Sequence, residues 1–584
     1  MRASPASHGF HGSATLHSPR SAELRRHCAS CGVQRVRSCA SRSIILVQSQ
    51  TNRASQKRAK KRRDNLKLSK DLFQCGTLSE LLNFTHENID SYTPRHYAQT
   101  MQLLVKAMKR FEFTTSDEDE SDSTTNTLMT RHHQVELLMK QLGTKMPEFD
   151  DDSLSLVFKS LSQMRAQISD PLKEALSARI IELQDKFTAY SLMQLARSFN
   201  TLAWYPAPEV LKAIADAVVA LLQAWHKTKK LIFFWKQKPE PTFEERLLAG
   251  KGNTGVQTKR KPYTLKLTVA MARLISNCEY HHTELQSNLA ADAIRNVDSL
   301  FMGDLPHMLK LFLRLRHPPA EQLTPLLDLA RKGVERREFR PRTLCMVLWC
   351  LSLLQACPPQ TCKAGMSTLH NCEGKLSPGL LSAFYQSVLL VADQYPTSGV
   401  LAEPAAILSA AQSAWSINAR DNTVSQFQMQ LHTTLEACGF RPQLEYATAC
   451  GNFSLDLALP EMGIAIEADG PSHFATNKHM FLGESISRQR CILARGWVLI
   501  CVPSFVWQTL TTRQAQMQAM QEVLEEAKKL RATITESLQA SNRPWEHDGV
   551  LLKIWQLPAV EVIVMQTQEL PIHEPGAVTV TDAL

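Results

Sequence analysis

The chain has 584 residues, 44% of them hydrophobic and 21% charged, with 14 cysteines and a formal net charge of +10. Its first 63 residues hold 14 Lys and Arg against one acid, Glu23, which leaves the remainder near −3, so whole-chain basicity is no argument for nucleic-acid binding and any such face must come from local clustering. The longest charge-free apolar stretch, Thr343–Cys362, is broken by Ser352, Gln355 and Pro358-Pro359, which excludes a membrane span, and cysteines scattered through apolar runs (Cys345, Cys350, Cys357, Cys438) exclude a disulfide framework and fit a reducing compartment.

Residues 1–65 are basic, Ser-rich and acid-poor, the composition of an organelle transit peptide, and they lack the apolar core of a secretory signal. The localisation this implies is the mitochondrion, with the plastid as the alternative. Lys57–Arg63 also reads as a nuclear-localisation or nucleic-acid arm. Cys28 and Cys31 form a CxxC with Cys39 nearby, but no second pair follows at zinc-ribbon spacing.

From 66 to 440 the pattern is helical and repetitive, with sparse Gly. LSLVFKSL (154–161) and LMQLARSF (192–199) superpose at an offset of 38, and Ala196-Arg197 recurs as Ala272-Arg273 at twice that offset. Apolar helices of the same character follow at 305–315, 343–354, 379–390 and 403–415. A helix pair of this length buries its apolar stripe only by stacking, so the spacing predicts a solenoid; the competing reading is an irregular bundle. Two insertions interrupt it. The stretch 114–126 is acidic and rich in Ser and Thr, a solvated loop. The stretch 226–262 mixes Lys259, Arg260, Lys261 and other cations with Phe233, Phe234 and Trp235; it suits phosphate contact with base stacking, or equally a solvated loop anchored by its aromatics.

Between 441 and 511 the order strand, strand, helix, strand is expected. On the strand Ile464–Asp469, alternation places Glu467 and Asp469 on one face and Ile464, Ile466 and Ala468 on the other. Asp456 on the preceding strand and His473 after Gly470-Pro471 complete the densest acidic and imidazole cluster in the chain. A helix is expected over 477–495, stopped by Gly496, then a buried strand 497–502. The acids are read either as oxygen ligands for Mg²⁺, with Asp469 adding charge or acting as base, or as a strand cap with Glu467 paired to Arg488 or Arg490. His473 reads as a base, an RNA-stacking group or a hydrogen-bonded turn residue. Residues 514–538 form an amphipathic helix that covers the sheet or binds a partner; the tail 542–584 carries no readable role.

Asp456, the run IEADGPSHF (466–474), Leu482-Gly483, Arg490 with Leu493, Gly496-Trp497, Val502-Pro503 and Trp507 resemble the RAP domain, an RNA-binding family also found at the C-terminus of FAST-kinase-like mitochondrial proteins. The preceding helices resemble the octotricopeptide and heptatricopeptide-like arrays that often accompany it. The resemblance implies a fold similar to PD-(D/E)xK nucleases, with Asp456 and Glu467 at metal-ligand positions and Mg²⁺ as the metal; where that pattern has a Lys two residues after the second acid, this chain has Asp469. The fold expected is therefore mainly α, a helical-repeat solenoid followed by a small α/β domain. The function expected is organellar RNA binding in RNA processing, stability, ribosomal-RNA maturation or translation. Its partners are single-stranded transcripts or rRNA, with the ribosome or other proteins as further candidates. The alternatives are a metal-dependent endoribonuclease using Asp456, Glu467 and Asp469, and a protein-binding scaffold. Candidate RNA contacts are His473, Lys478, Arg488, Arg490, Lys259, Arg260 and Lys261.

Overall fold

The computed structural model describes residues 59–114, 133–227, 263–370, 372–403, 406–420, 423–541 and 551–553, with Gln56. The basic leader before residue 56, nearly all of both insertions and most of the tail lie outside the described residues, and Lys259, Arg260 and Lys261 with them. The chain divides into two units, residues 1–76 and 77–584. In the first, residues 59–74 are helical.

The second unit begins with helices that alternate between two rows. The odd row holds α1 (Leu78–Asn88), α3 (His133–Lys145), α5 (Asp170–Glu182), α7 (Pro208–Lys227), α9 (Thr283–Arg295), α11 (Thr324–Glu335) and α13 (Pro359–Leu369). The even row holds α2 (Pro94–Thr114), α4 (Asp151–Gln163), α6 (Ala189–Leu202), α8 (Tyr263–Asn277), α10 (Leu305–Leu315), α12 (Pro341–Leu353) and α14 (Pro378–Gln394). Each helix packs on the next member of its own row, and α15 (Ala406–Arg420) meets both α13 and α14. That is a two-layer stack of helix pairs, and it settles the choice between solenoid and irregular bundle.

Local signals start these helices. Thr77, Asp150 and Thr188 side chains cap the free amides of α1, α4 and α6, and proline stands in the first turn of α5 and of α10 through α14. Even-row helices stop in a recurrent way. After α4, α8 and α12, Arg165, Glu279 and Gln355 take φ of 48°, 53° and 57°, and the amide that follows each reaches back five residues to a carbonyl, as Ala166 does to Leu161 and Tyr280 to Ile275.

The rows differ in burial. α4 buries eight of its 13 residues, whereas α5, of equal length, buries Leu172, Leu176 and Ile180 alone. The doubled offset between Ala196 and Ala272 also has a simple origin. α6 and α8 pack directly on one another, so a single structural step spans it, and the insertion between α7 and α8 supplies the extra length.

The C-terminal part is a three-layer α/β sandwich. Its sheet has the order β1 (Gln443–Ala447), β2 (Ser454–Leu459), β3 (Ile464–Asp469), β4 (Val498–Pro503), β5 (Leu551–Lys553). β1–β2 and β2–β3 are antiparallel; β3–β4 and β4–β5 are parallel, so a three-residue segment of the tail extends the sheet. The helices are α16 (Gln426–Ala437), α17 (Gly483–Leu493), α18 (Ser504–Trp507) and α19 (Arg513–Ser541). Ile464, Ile466, Val498, Ile500 and Val502 pack under Leu431 and Leu435 of α16 and Met520, Leu524 and Ala527 of α19. The opposite face, with Ala465, Leu499 and Cys501, meets Ile492 of α17.

α17 begins six residues later than the apolar spacing predicts. Phe474 bridges to Phe481 and holds 475–480 as a loop, so Lys478 lies outside the helix. Among the described residues no helix is long and apolar enough to cross a membrane.

Candidate functional site

β2 and β3 turn Asp456, Glu467 and Asp469 toward α17, the face opposite Ile464 and Ile466, as strand alternation requires. α17 answers with Arg488. Its Nε donates to Glu467 Oε2 at 2.9 Å, and its Nη2 donates to Glu467 Oε1 at 3.3 Å and to the Ser454 carbonyl at 2.5 Å. Glu467 is 4% exposed, so this is a buried, two-pronged pair. Arg490, two positions on and therefore on another side of the helix, donates to the Leu353 carbonyl at the end of α12. Of the two partners considered for Glu467, the structure selects Arg488.

The other acids are held less well. Asp456 Oδ2 accepts from the Ala468 amide at 2.8 Å, and its own amide donates to Glu467 Oε1 at 3.4 Å. Asp469 Oδ1 lies 3.4 Å from His473 Nδ1, and its carboxyl also faces the Cys501 thiol. His473 Nδ1 is also 3.2 Å from Ser485 Oγ. Burial, then the Glu467 charge, pushes the Asp456 carboxyl up to about 7, against the Ala468 amide and Arg488. Burial, then the Glu467 and Asp456 charges, drive Asp469 well above the carboxylate range, against the Cys501 thiol and Arg488. Burial works against the Arg488 charge, but Glu467, Asp456 and Asp469 together outweigh it and raise its pKa. Burial lowers the His473 pKa and favours the neutral ring.

This electrostatic state bears on metal binding. A divalent ion needs several ionised oxygens free to converge on it. Here both Glu467 oxygens are engaged by a guanidinium, and among the described residues no three His, Cys, Asp or Glu are grouped to hold a metal. Arg488 already supplies the positive charge the cluster demands. The residues as arranged do not fit Mg²⁺.

The same helix fastens the α/β domain to the array. α17 packs on α10, α12 and α14. A Cβ on Gly483 would stand 2.0 Å from the Leu313 carbonyl oxygen, so only glycine permits this approach. Arg314 bridges Glu279 at 3.2 Å and Glu484 at 2.8 Å, and Arg495 pairs with Asp393 at 2.9 Å. The 475–480 loop reaches the cap of α8: the Thr476 amide donates to the Glu279 carbonyl at 3.0 Å, and the Asn477 Nδ2 donates to the His281 carbonyl at 2.9 Å. Arg490 is spent on this junction, where burial and Arg316 lower its pKa to about 10. Lys478 stays exposed. Sequence reading missed this junction, for which the one local signal was Gly483 at a predicted mid-helix position.

A stack of helix pairs closed by a three-layer α/β sandwich defines a helical-repeat protein with a C-terminal accessory domain. Residues 466–523, from β3 into α19, match the RAP domain family, and the chain therefore carries a RAP domain. It is similar to a "RAP domain-containing protein, chloroplastic" from Oryza sativa subsp. japonica, at 30% identity over 100 residues. The match covers 17% of this chain and spans 15% of that relative's length. As the family is an RNA-binding one, its presence supports a role connected with RNA.

Proposed function

We propose that this chain is an organellar RNA-binding protein in which the helical array tracks single-stranded RNA and the RAP domain clamps it, serving RNA processing, stability, ribosomal-RNA maturation or translation. The RAP domain match carries the reading. The Arg488–Glu467 pair favours a binder over an enzyme, because it neutralises the carboxylates that a metal-dependent nuclease needs. The basic leader supports an organelle, mitochondrion or plastid, and the rice relative's printed location supports the same class.

The test is equilibrium binding of labelled single-stranded RNA as a function of salt, with the full chain and with a chain starting at residue 64. Both should bind, with the logarithm of affinity falling by about 0.7 per neutralised phosphate for each tenfold rise in salt. Charge reversal at Lys259, Arg260 and Lys261 should weaken binding if that insertion contributes. Affinity that vanishes with residues 1–63 points to the protein scaffold. Mg²⁺-dependent cleavage abolished by Glu467→Ala at unchanged melting temperature points to the ribonuclease.

A further inference from the structure

A pocket opens between the C-terminal ends of α6 and α8, lined among others by Asn200, Trp204, Tyr205, Asn277 and Cys278. Trp204 is fixed within it. One face lies parallel on Phe158, with an interplanar angle of 10° at 5.7 Å, and its edge meets Phe199 at 5.0 Å. Tyr205, the next residue, is 64% exposed. The Asn277 amide is held too: its Nδ2 donates to Asn200 Oδ1 at 2.9 Å, and Asn200 Nδ2 donates to the Ala196 carbonyl at 2.8 Å. That leaves Asn277 Oδ1 as an acceptor in a rigid frame.

The RAP domain loop is tied to the same corner. Thr476 Oγ1 donates to the carbonyl of Cys278, itself a lining residue, at 3.1 Å. Two residues on, Lys478 is exposed and forms no ion pair among the described residues. Its charge is felt locally: after burial, Lys478 is the next cause holding His281 down to about 4.

Resting on the RNA-binding reading above, we propose that this corner seats one unpaired nucleobase, stacked on Tyr205 against the Trp204 edge of the pocket, with Asn277 at its edge and Lys478 on the adjoining phosphate. A π surface, an amide and, on the loop tied to Cys278, a cation are the three groups that single-stranded RNA recognition uses. The array and the RAP domain each contribute part of the seat, so neither forms it alone.

The experiment uses the full chain and an oligouridine carrying 4-thiouridine. Photocrosslinks, mapped by mass spectrometry, should fall on the peptide containing Trp204 and Tyr205. By anisotropy, Tyr205→Ala should weaken binding roughly 5- to 150-fold, the range of one lost base stack, while Tyr205→Phe stays within about twofold. Lys478→Ala should flatten the salt dependence by about 0.7 in slope, one phosphate contact on a single strand. Tight RNA binding with wild-type affinity in Tyr205→Ala, or with crosslinks only elsewhere, overturns the seat and leaves the RNA-binding reading standing. No binding of RNA by the unaltered chain overturns both.

Discussion

Replacing Arg488 with Met removes the guanidinium that faces a cluster of three carboxylates and strips Glu467, 4% exposed, of its partner. Three donated hydrogen bonds go with it, two to Glu467 and one to the Ser454 carbonyl. Breaking a buried pair by deleting one partner costs about 3–5 kcal/mol. The Arg488 side chain retains 32% exposure, so the lower end, about 3 kcal/mol, is expected. At about 2–4 °C per kcal/mol, thermal unfolding followed by circular dichroism should show a loss of about 6–12 °C. Adding Glu467→Leu to Arg488→Met should recover most of the loss, since replacing both members of a buried pair by apolar groups is far less costly than removing one. An Arg488→Met protein melting within about 2 °C of wild type would refute the account, as would a Mg²⁺-dependent rise in the melting temperature of the unaltered protein.

Acid should stabilise this domain in the unaltered protein. Burial and the Glu467 charge hold the folded Asp456 carboxyl up at about 7, against an ordinary 3.8, so in that window the folded state binds more protons. Its contribution is fully present below about pH 4 and lost as pH rises through 7; Asp469 shifts in the same direction. Denaturant midpoints that rise from pH 5 to pH 8 would contradict this. Gly483→Ala should destabilise by about 1–3 kcal/mol or more, because its Cβ meets the Leu313 backbone at 2.0 Å, whereas Gly470→Ala, with nothing within 4 Å, should stay within about 0.5 kcal/mol. Limited proteolysis comparing the two variants reads the difference, and equal behaviour would remove the case for a close helix-to-backbone contact.

The helices legible in the sequence belong overwhelmingly to the even row. The recurring apolar runs at 154–161, 192–199, 267–275, 305–315, 343–354 and 379–390 all fall on α4, α6, α8, α10, α12 and α14. These helices are packed by row neighbours and by the odd row, so each buries a wide arc rather than a narrow stripe. An odd-row helix such as α5 buries one narrow stripe, and its sequence, DPLKEALSARIIE, shows little of the repeat. Strand alternation was enough to bring Asp456, Glu467 and Asp469 together, since it is a property of β2 and β3 alone. Choosing between Arg488 and Arg490 was not possible locally. They lie on different sides of α17, and which side meets the sheet is decided by α10, α12 and α14, helices distant in the sequence that pack on it. The late start of α17 has a similar origin, in the bridge between Phe474 and Phe481.

The position of the RAP domain sets a limit on the reach of the array. α17 lies on α10, α12 and α14, and the 475–480 loop sits on the end of α8, so the later half of the even row is already covered. A ligand laid along that row from its N-terminal end meets α2, α4 and α6, a run of the order of 20–30 Å at the usual spacing of packed helices, and then arrives at an end-stop. On the proposed RNA-binding reading, repeats added ahead of α2 would lengthen the stretch available to the ligand. Repeats added after α14 would not, so the footprint of this architecture is counted from the front, and the total number of helix pairs overstates it.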